Sequence, residues 1–301
     1  MRTLLLCAIS LLFVEPVYSA EPSAEHELAG KRVVFLGDSI TQAGRYVSFV
    51  DYTLEKVYPE QEFDIYGLGL ASETLSGLSE DGHAGGKFPR PCLFERLERL
   101  LERAKPDVVF ACYGINDGIY QPLDKERFEA FQHGVKKLIA QCQAAGVGKL
   151  YLVTPPIYDL TAKPGEFNYD TVMTEYAAWE MSLNQPDVQV IDLHSAMRKA
   201  RDSQTEPFSK DHVHPGDAGH LLMAQTILTA LGVPLPALSL EEIHADPLFR
   251  QVDALRKHRS ANWMKHIGYT REKVVEPQPL GNTEEVSVNI KQSINQLRRQ
   301  P

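Results

Sequence analysis

Three residues of the chain have the types that covalent catalysis by a hydroxyl requires: Ser39 in Gly37-Asp38-Ser39-Ile40, and the pair Asp211 and His214 in Asp211-His212-Val213-His214-Pro215. A serine hydroxyl is a weak nucleophile at neutral pH and needs a base to take its proton as it attacks. Histidine, with an unperturbed pKa of about 6.5, suits that task. A carboxylate at the imidazole Nδ1 then holds the ring in one tautomer. Asp211 lies three residues before His214, so one turn can join them, while Ser39 must arrive from elsewhere in the fold. The order Ser, Asp, His makes a workable triad. Cleavage of an ester also builds an oxyanion, which wants fixed donors. Ser39 on a tight turn offers its own N–H, Gly69 in Gly67-Leu68-Gly69 offers another with no side chain in the way, and Asn116 in Gly114-Ile115-Asn116-Asp117 adds an amide.

Each of these residues also has a plainer reading. A serine by itself is more often a turn or cap residue. Gly69 can serve only to permit a turn, and Asn116 with Asp117 can cap the segment that follows. Asp211, His212 and His214 suit zinc by type, although neighbours in an extended segment point to opposite faces, which works against a shared ion. Asp38 is expected to make structural hydrogen bonds around the serine turn. Four further residues stand close to these blocks and are candidate substrate contacts by location alone: Tyr120, His83, Arg90 and His194. Gly67-x-Gly69-x-Ala71 imitates part of a dinucleotide fingerprint, but Ser72 occupies the third glycine position and no helix starts cleanly there, so a nucleotide cofactor is not expected.

The elements that must position these groups are legible as apolar runs of four to eight residues alternating with helical patterns, the mark of βα units around a parallel sheet. Strands are expected at 33–36, 63–66, 108–113, 150–154 and 188–193. Ligands of such sheets bind beyond the carboxyl ends of the strands, where the blocks above begin. Helices are expected at about 46–57, 93–101, 124–145, 172–183 and 217–231; in the third, Asp124 is a cap and Phe128, Phe131, Val135, Leu138, Ile139 and Cys142 mark one face. After Pro234 and Pro236 the chain turns polar and helix-rich, and Asn282 with Glu285 resembles a capping box.

The chain has 301 residues, 43% of them hydrophobic, enough for one sizeable α/β domain and an appendage. Arg2, an apolar stretch at 4–14 and small residues at Ser19 and Ala20 read as an export signal, and the stretch falls well short of the roughly 20 residues that span a bilayer. Export and a chain without long apolar spans argue against stable membrane insertion. Cys92, Cys112 and Cys142 are an odd set, and no disulfide is assigned among them; Cys112 reads as a small core residue. The net charge is −9, but residues 250–301 carry ten Lys and Arg against five Asp and Glu. The acidic body argues against nucleic acid as a partner. The basic tail reads first as a solvated basic helix, and otherwise as a segment that packs on that body or touches an anionic polymer.

Taken in order, the four blocks resemble those of the SGNH (GDSL-type) hydrolase superfamily, with Ile40 where the motif name has Leu, Gly67 where Asn often stands and Glu73 where Asp is common. Over about residues 31–231 the resemblance implies a flavodoxin-like three-layer α/β/α sandwich with a five-stranded parallel sheet. It further implies Ser39 as nucleophile, Ser39, Gly69 and Asn116 as oxyanion hole, and no cofactor or metal. The expected organisation is a signal peptide at 1–20, the hydrolase domain at 21–240 and a basic helical extension at 241–301. The expected activity is hydrolysis of O-acyl esters, chiefly O-acetyl groups, on a small ester or an acylated polysaccharide outside the cytoplasm. A lipase or thioesterase of the same mechanism, or a carbohydrate-binding protein without turnover, are the alternatives. The sequence leaves the oligomeric state open.

Overall fold

The computed structural model describes residues 25–161 and 163–299, so the leader expected at 1–20 lies outside the described residues. Five apolar runs form the strands β1 (Arg32–Gly37), β2 (Asp64–Gly67), β3 (Val108–Cys112), β4 (Lys149–Val153) and β5 (Val188–Ile191). They make one parallel sheet in the order β2-β1-β3-β4-β5. The central β1 and β3 are almost wholly apolar because both of their faces are covered. Phe35, Phe110 and Tyr151 occupy paired positions on β1, β3 and β4, and their rings stack in a row with centroids 4.6 and 4.4 Å apart.

The order of strands dictates the layers. From β1 the chain steps one way to β2 and every later strand lies the other way, so right-handed crossovers send successive helices to opposite faces. The short α1 (Ser39–Ala43) and α2 (Arg45–Val57) follow β1, whereas α3 (Leu97–Ala104), α4 (Lys125–Ala144) and α5 (Asp170–Met181) cross on the other face. After β5 come α6 (Leu193–Asp202) and α7 (Asp217–Ala230), and α7 packs along α2 to complete the flavodoxin-like three-layer sandwich. Asp124 caps α4 by accepting from Arg127 N–H, and the apolar face expected of this helix is turned inward. Strand five ends two residues earlier than its apolar run suggests, because the Asp192 carboxylate accepts from Ser195 N–H and starts α6.

The extension comprises α8 (Leu240–Ala245), α9 (Pro247–Ile267), a small hairpin of β6 (Tyr269–Thr270) and β7 (Val274–Val275), and α10 (Thr283–Leu297). The capping box lies at Ser239 and Glu242, not at Asn282 and Glu285: Asn282 precedes α10 with no side-chain cap. The extension packs on the body. Trp263 meets Tyr66 edge-on at 5.4 Å, Arg259 binds Asp64 at 2.8 Å, and Arg298 binds the buried Glu55 at 2.6 Å. The charge asymmetry of the sequence is thus realised as ion pairs between α9 or α10 and the α2/β2 side of the sheet.

Candidate active site

Ser39 is the first residue of α1, immediately beyond β1 and therefore at the point where the strand order reverses. The Asp38 carboxylate accepts from Ile40 N–H and starts the helix. Ser39 Oγ lies 2.8 Å from His214 Nε2, and His214 Nδ1 lies 2.7 Å from Asp211 Oδ2. A carboxylate only accepts, so the ring proton sits on Nδ1 and Nε2 is left to accept from the serine hydroxyl. The other Asp211 oxygen accepts from the N–H groups of Val213 and His214, which folds the segment into one turn. Although desolvation works to raise it, these bonds from His214 and Val213 hold the Asp211 carboxyl at about 2. Asp38 behaves oppositely: fully buried and facing Asp117 and Glu73, it is pushed up to about 7 despite the Ile40 N–H and the nearby His214.

The loop after β2 is pinned on three sides. Leu68 N–H donates to Phe35 O and Leu70 N–H to Gly37 O, while Ala71 N–H donates to Gln42 Oε1 of α1. Only glycine fits at 69, since a Cβ there would stand 2.3 Å from Gln42 N and 2.7 Å from Asp38 O. Beneath the loop, Glu73 is fully buried and takes two 2.6 Å bonds from Arg96 and one of 2.7 Å from Tyr113 Oη. Arg96 also donates to Leu68 O. The longer acid at 73 therefore reaches a buried guanidinium and holds the loop that carries Gly69. Among the described residues, no acceptor engages the N–H of Gly69 or of Ser39, whose place at the start of a helix leaves it without an intrahelical partner.

Asn116 arrives from the β3 end through Gly114, whose φ of 113° suits glycine alone. Its Oδ1 accepts from Arg90 Nη1 at 2.8 Å and from Tyr120 Oη at 3.1 Å, and its Nδ2 donates to Glu73 O at 3.3 Å. Because the guanidinium only donates, that atom is the oxygen, and the second amide hydrogen has no partner among the described residues. Arg90 is clamped in turn by two 2.7 Å bonds to Glu80. Ile119 and Tyr120 both have positive φ, at 47° and 57°, a cost that non-glycine residues bear where surroundings over-determine them. Next to Asn116, burial pushes the Asp117 carboxyl up to about 6 although Ser76 and Leu75 N–H groups bond it.

The structure thus brings Ser39, Gly69, Asn116, Asp211 and His214 to one end of the sheet. The four residues expected as substrate contacts are each engaged within the protein. Arg90 is buried on Glu80 and Asn116, and Tyr120 points its hydroxyl at the same amide, so both hold the Asn116 side chain. His83 turns to Glu80 at 3.3 Å and packs edge-on against Phe88. His194 is 2% exposed, with ring nitrogens on Thr174 and Pro155 O, and has no open face. His212 adopts positive φ, and its Nδ1 meets Asp159 O, so its ring is directed away from the groups that engage His214. The residues that sequence reasoning passed over are Glu80, Arg96 and Gln42. The opposite charges flanking the glycine-rich loop, Glu80 and Arg90, were the available signal for the first.

Residues 35–222, more than half of the chain, match the model of the GDSL-like lipase/acylhydrolase family. An acetylxylan esterase of Geobacillus stearothermophilus is 24% identical over 230 residues, covering 68% of this chain and 95% of that protein. A solved structure of an acetylxylan esterase from the same organism superposes with a TM-score of 0.53 at 24% identity, covering 70% of this chain and 98% of the other. An α/β hydrolase enzyme from the metagenome of Lake Arreo, Spain, gives 0.52 at 23% identity, covering 69% and 98%.

Proposed function

Because the chain belongs to the GDSL-like lipase/acylhydrolase family and is thereby a carboxylic ester hydrolase, we propose that it removes acetyl groups through Ser39, His214 and Asp211. The observation that carries this reading is the continuous relay from Ser39 Oγ through both ring nitrogens of His214 to Asp211. Ser39 attacks the ester carbonyl carbon as its proton passes to His214 Nε2. The carbonyl oxygen, now negative, is held by the N–H groups of Ser39 and Gly69 and by the free Nδ2–H of Asn116. Collapse expels the alcohol, which takes the proton from His214 and leaves acetyl on Ser39. Water then attacks with His214 again as base, releasing acetate and restoring the hydroxyl. Asp211, ionised throughout, orients the ring and stabilises its charged form.

The substrate we propose is an O-acetylated polysaccharide met outside the cytoplasm. The leader pattern at 1–20 supports export, and the acetylxylan esterases to which the chain is similar support an acetylated glycan. Hydrolysis of p-nitrophenyl acetate by the wild type and by Ser39→Ala tests the mechanism: turnover falls at least about 10³-fold in the variant, and equal rates would overturn it. Acetate release from a panel of acetylated polysaccharides, set against p-nitrophenyl esters of increasing chain length, tests the substrate. A rate that rises with acyl length, with no acetate from any polymer, would replace it by a lipid-like ester.

A further inference from the structure

The extension builds a cavity of about 360 Å3 beside these residues, and its wall is shared between the body and α9. Gln42, Gly69 and Leu70 form one side. Gln42 follows Ser39 by three positions, so both lie on one face of α1, separated by a rise of about 5 Å. Gly69 belongs to the proposed oxyanion hole. The cavity therefore adjoins the reacting centre, although α9 lies outside the residues matched by the family model.

Its charge is one-sided. Among the described residues, Arg256, Lys257 and Lys265 line it and no carboxylate does, in a chain whose net charge is −9. Asp253, outside the lining, engages Arg256 at 2.9 Å and Lys257 at 2.7 Å, whereas Lys265 makes no ion pair among the described residues. The hydroxyl of Ser260 also lines the cavity and has no hydrogen-bond partner among the described residues. Leu70, Met264 and Tyr269 supply apolar wall. A mostly apolar cleft with a few convergent polar groups is the usual form of a small-ligand site, and here the polar groups select an anion.

We propose that this cavity is a subsite for an anionic sugar unit, carrying a carboxylate or a sulfate ester, next to the acetylated residue. The proposal rests on the reading of the chain as a polysaccharide deacetylase: the anion that reaches this place is a substituent of the same polymer. Lys257 and Lys265 meet the charge, Ser260 and Gln42 meet hydroxyls, and the apolar wall meets the C–H face of the ring.

Calorimetric titration of the whole chain with three acetyl-free oligosaccharides tests it: a neutral one, the same backbone bearing a uronate, and the same backbone bearing a sulfate. At low salt a charged one binds at least about tenfold tighter than the neutral one, and the tighter of the two names the anion. The advantage falls to within about twofold in Lys257→Ala/Lys265→Ala, whose replaced side chains have exposed heads, and in high salt. Equal affinities in the wild type, or an advantage that survives the double variant, would overturn the subsite. Turnover of p-nitrophenyl acetate by the same protein separates the two ideas. Activity without anion preference refutes the subsite alone, and anion preference without ester turnover refutes the esterase reading alone.

Discussion

Arg90 donates from Nη1 to Oδ1 of Asn116 across 2.8 Å, and that bond decides which way the Asn116 amide faces. Tyr120 donates to the same oxygen, and a flipped amide would set Nδ2 against the guanidinium, which can only donate. A charged donor at the oxygen also polarises the amide and strengthens its N–H. The pair therefore links the loop that carries Arg90 to the proposed oxyanion.

Removing that control should slow turnover more than it weakens binding. For Arg90→Ala we expect kcat to fall about tenfold or more with KM changed less than about threefold, and for Tyr120→Phe a smaller fall of the same kind. Steady-state kinetics on p-nitrophenyl acetate make the distinction. A raised KM at unchanged kcat would return Arg90 to the substrate-contact role that its position in the sequence suggests.

Asp117 couples the same corner to pH. Its carboxyl is raised to about 6 by burial, so between the unfolded value near 3.8 and about 6 the folded protein binds the proton more tightly than the unfolded chain. Stability must then fall as pH rises through that window and level off above it. Asp117→Asn keeps the oxygen that accepts from Leu75 and Ser76 and replaces Oδ2, which has no partner among the described residues. Relative to the wild type the variant should be unchanged near pH 4 and more stable at pH 7 by on the order of 1–3 kcal/mol. Denaturant midpoints at the two pH values check this, and parallel pH curves would count against it.

Glu73 and Arg96 form a pair with essentially no exposure, so breaking it leaves one charge stranded. Arg96→Ala should cost about 3–5 kcal/mol, whereas Glu73→Gln/Arg96→Met, which removes both charges, should recover part of the loss. Urea unfolding measures both. Because Arg96 also holds Leu68 O, activity should fall in the double variant even where stability returns.

Ending the chain after Pro236 removes Arg259, Lys291 and Arg298 from Asp64 and Glu55 and uncovers Tyr66. We expect insoluble protein, or a melting temperature lower by about 10 °C or more. A shortened chain that melts with the full-length protein would show that the docked helices contribute nothing to the body.

The sequence by itself determined much of what depends on neighbours along the chain, although it misplaced the capping box of the extension. Apolar runs marked the strands, Asp124 marked the start of α4, and Asp211 three residues before His214 marked a turn that joins acid to base. Ser39, Gly69 and Asn116 were legible because each follows a strand, and strand ends of a parallel sheet converge at one edge. Side-chain partners distant in sequence were decided only by the tertiary structure. Arg90 meets Asn116 across 26 positions, Arg96 meets Glu73 across 23, and Arg298 meets Glu55 across 243. His194 looked available because it follows a strand, yet the N-terminal turn of α6 buries it. The surplus of positive charge after residue 250 was plain from composition, but its destination was not. Periodicity reports which face of an element is apolar; which charged groups meet across elements depends on the path of the whole chain and on the cost of leaving any of them unpaired in the interior.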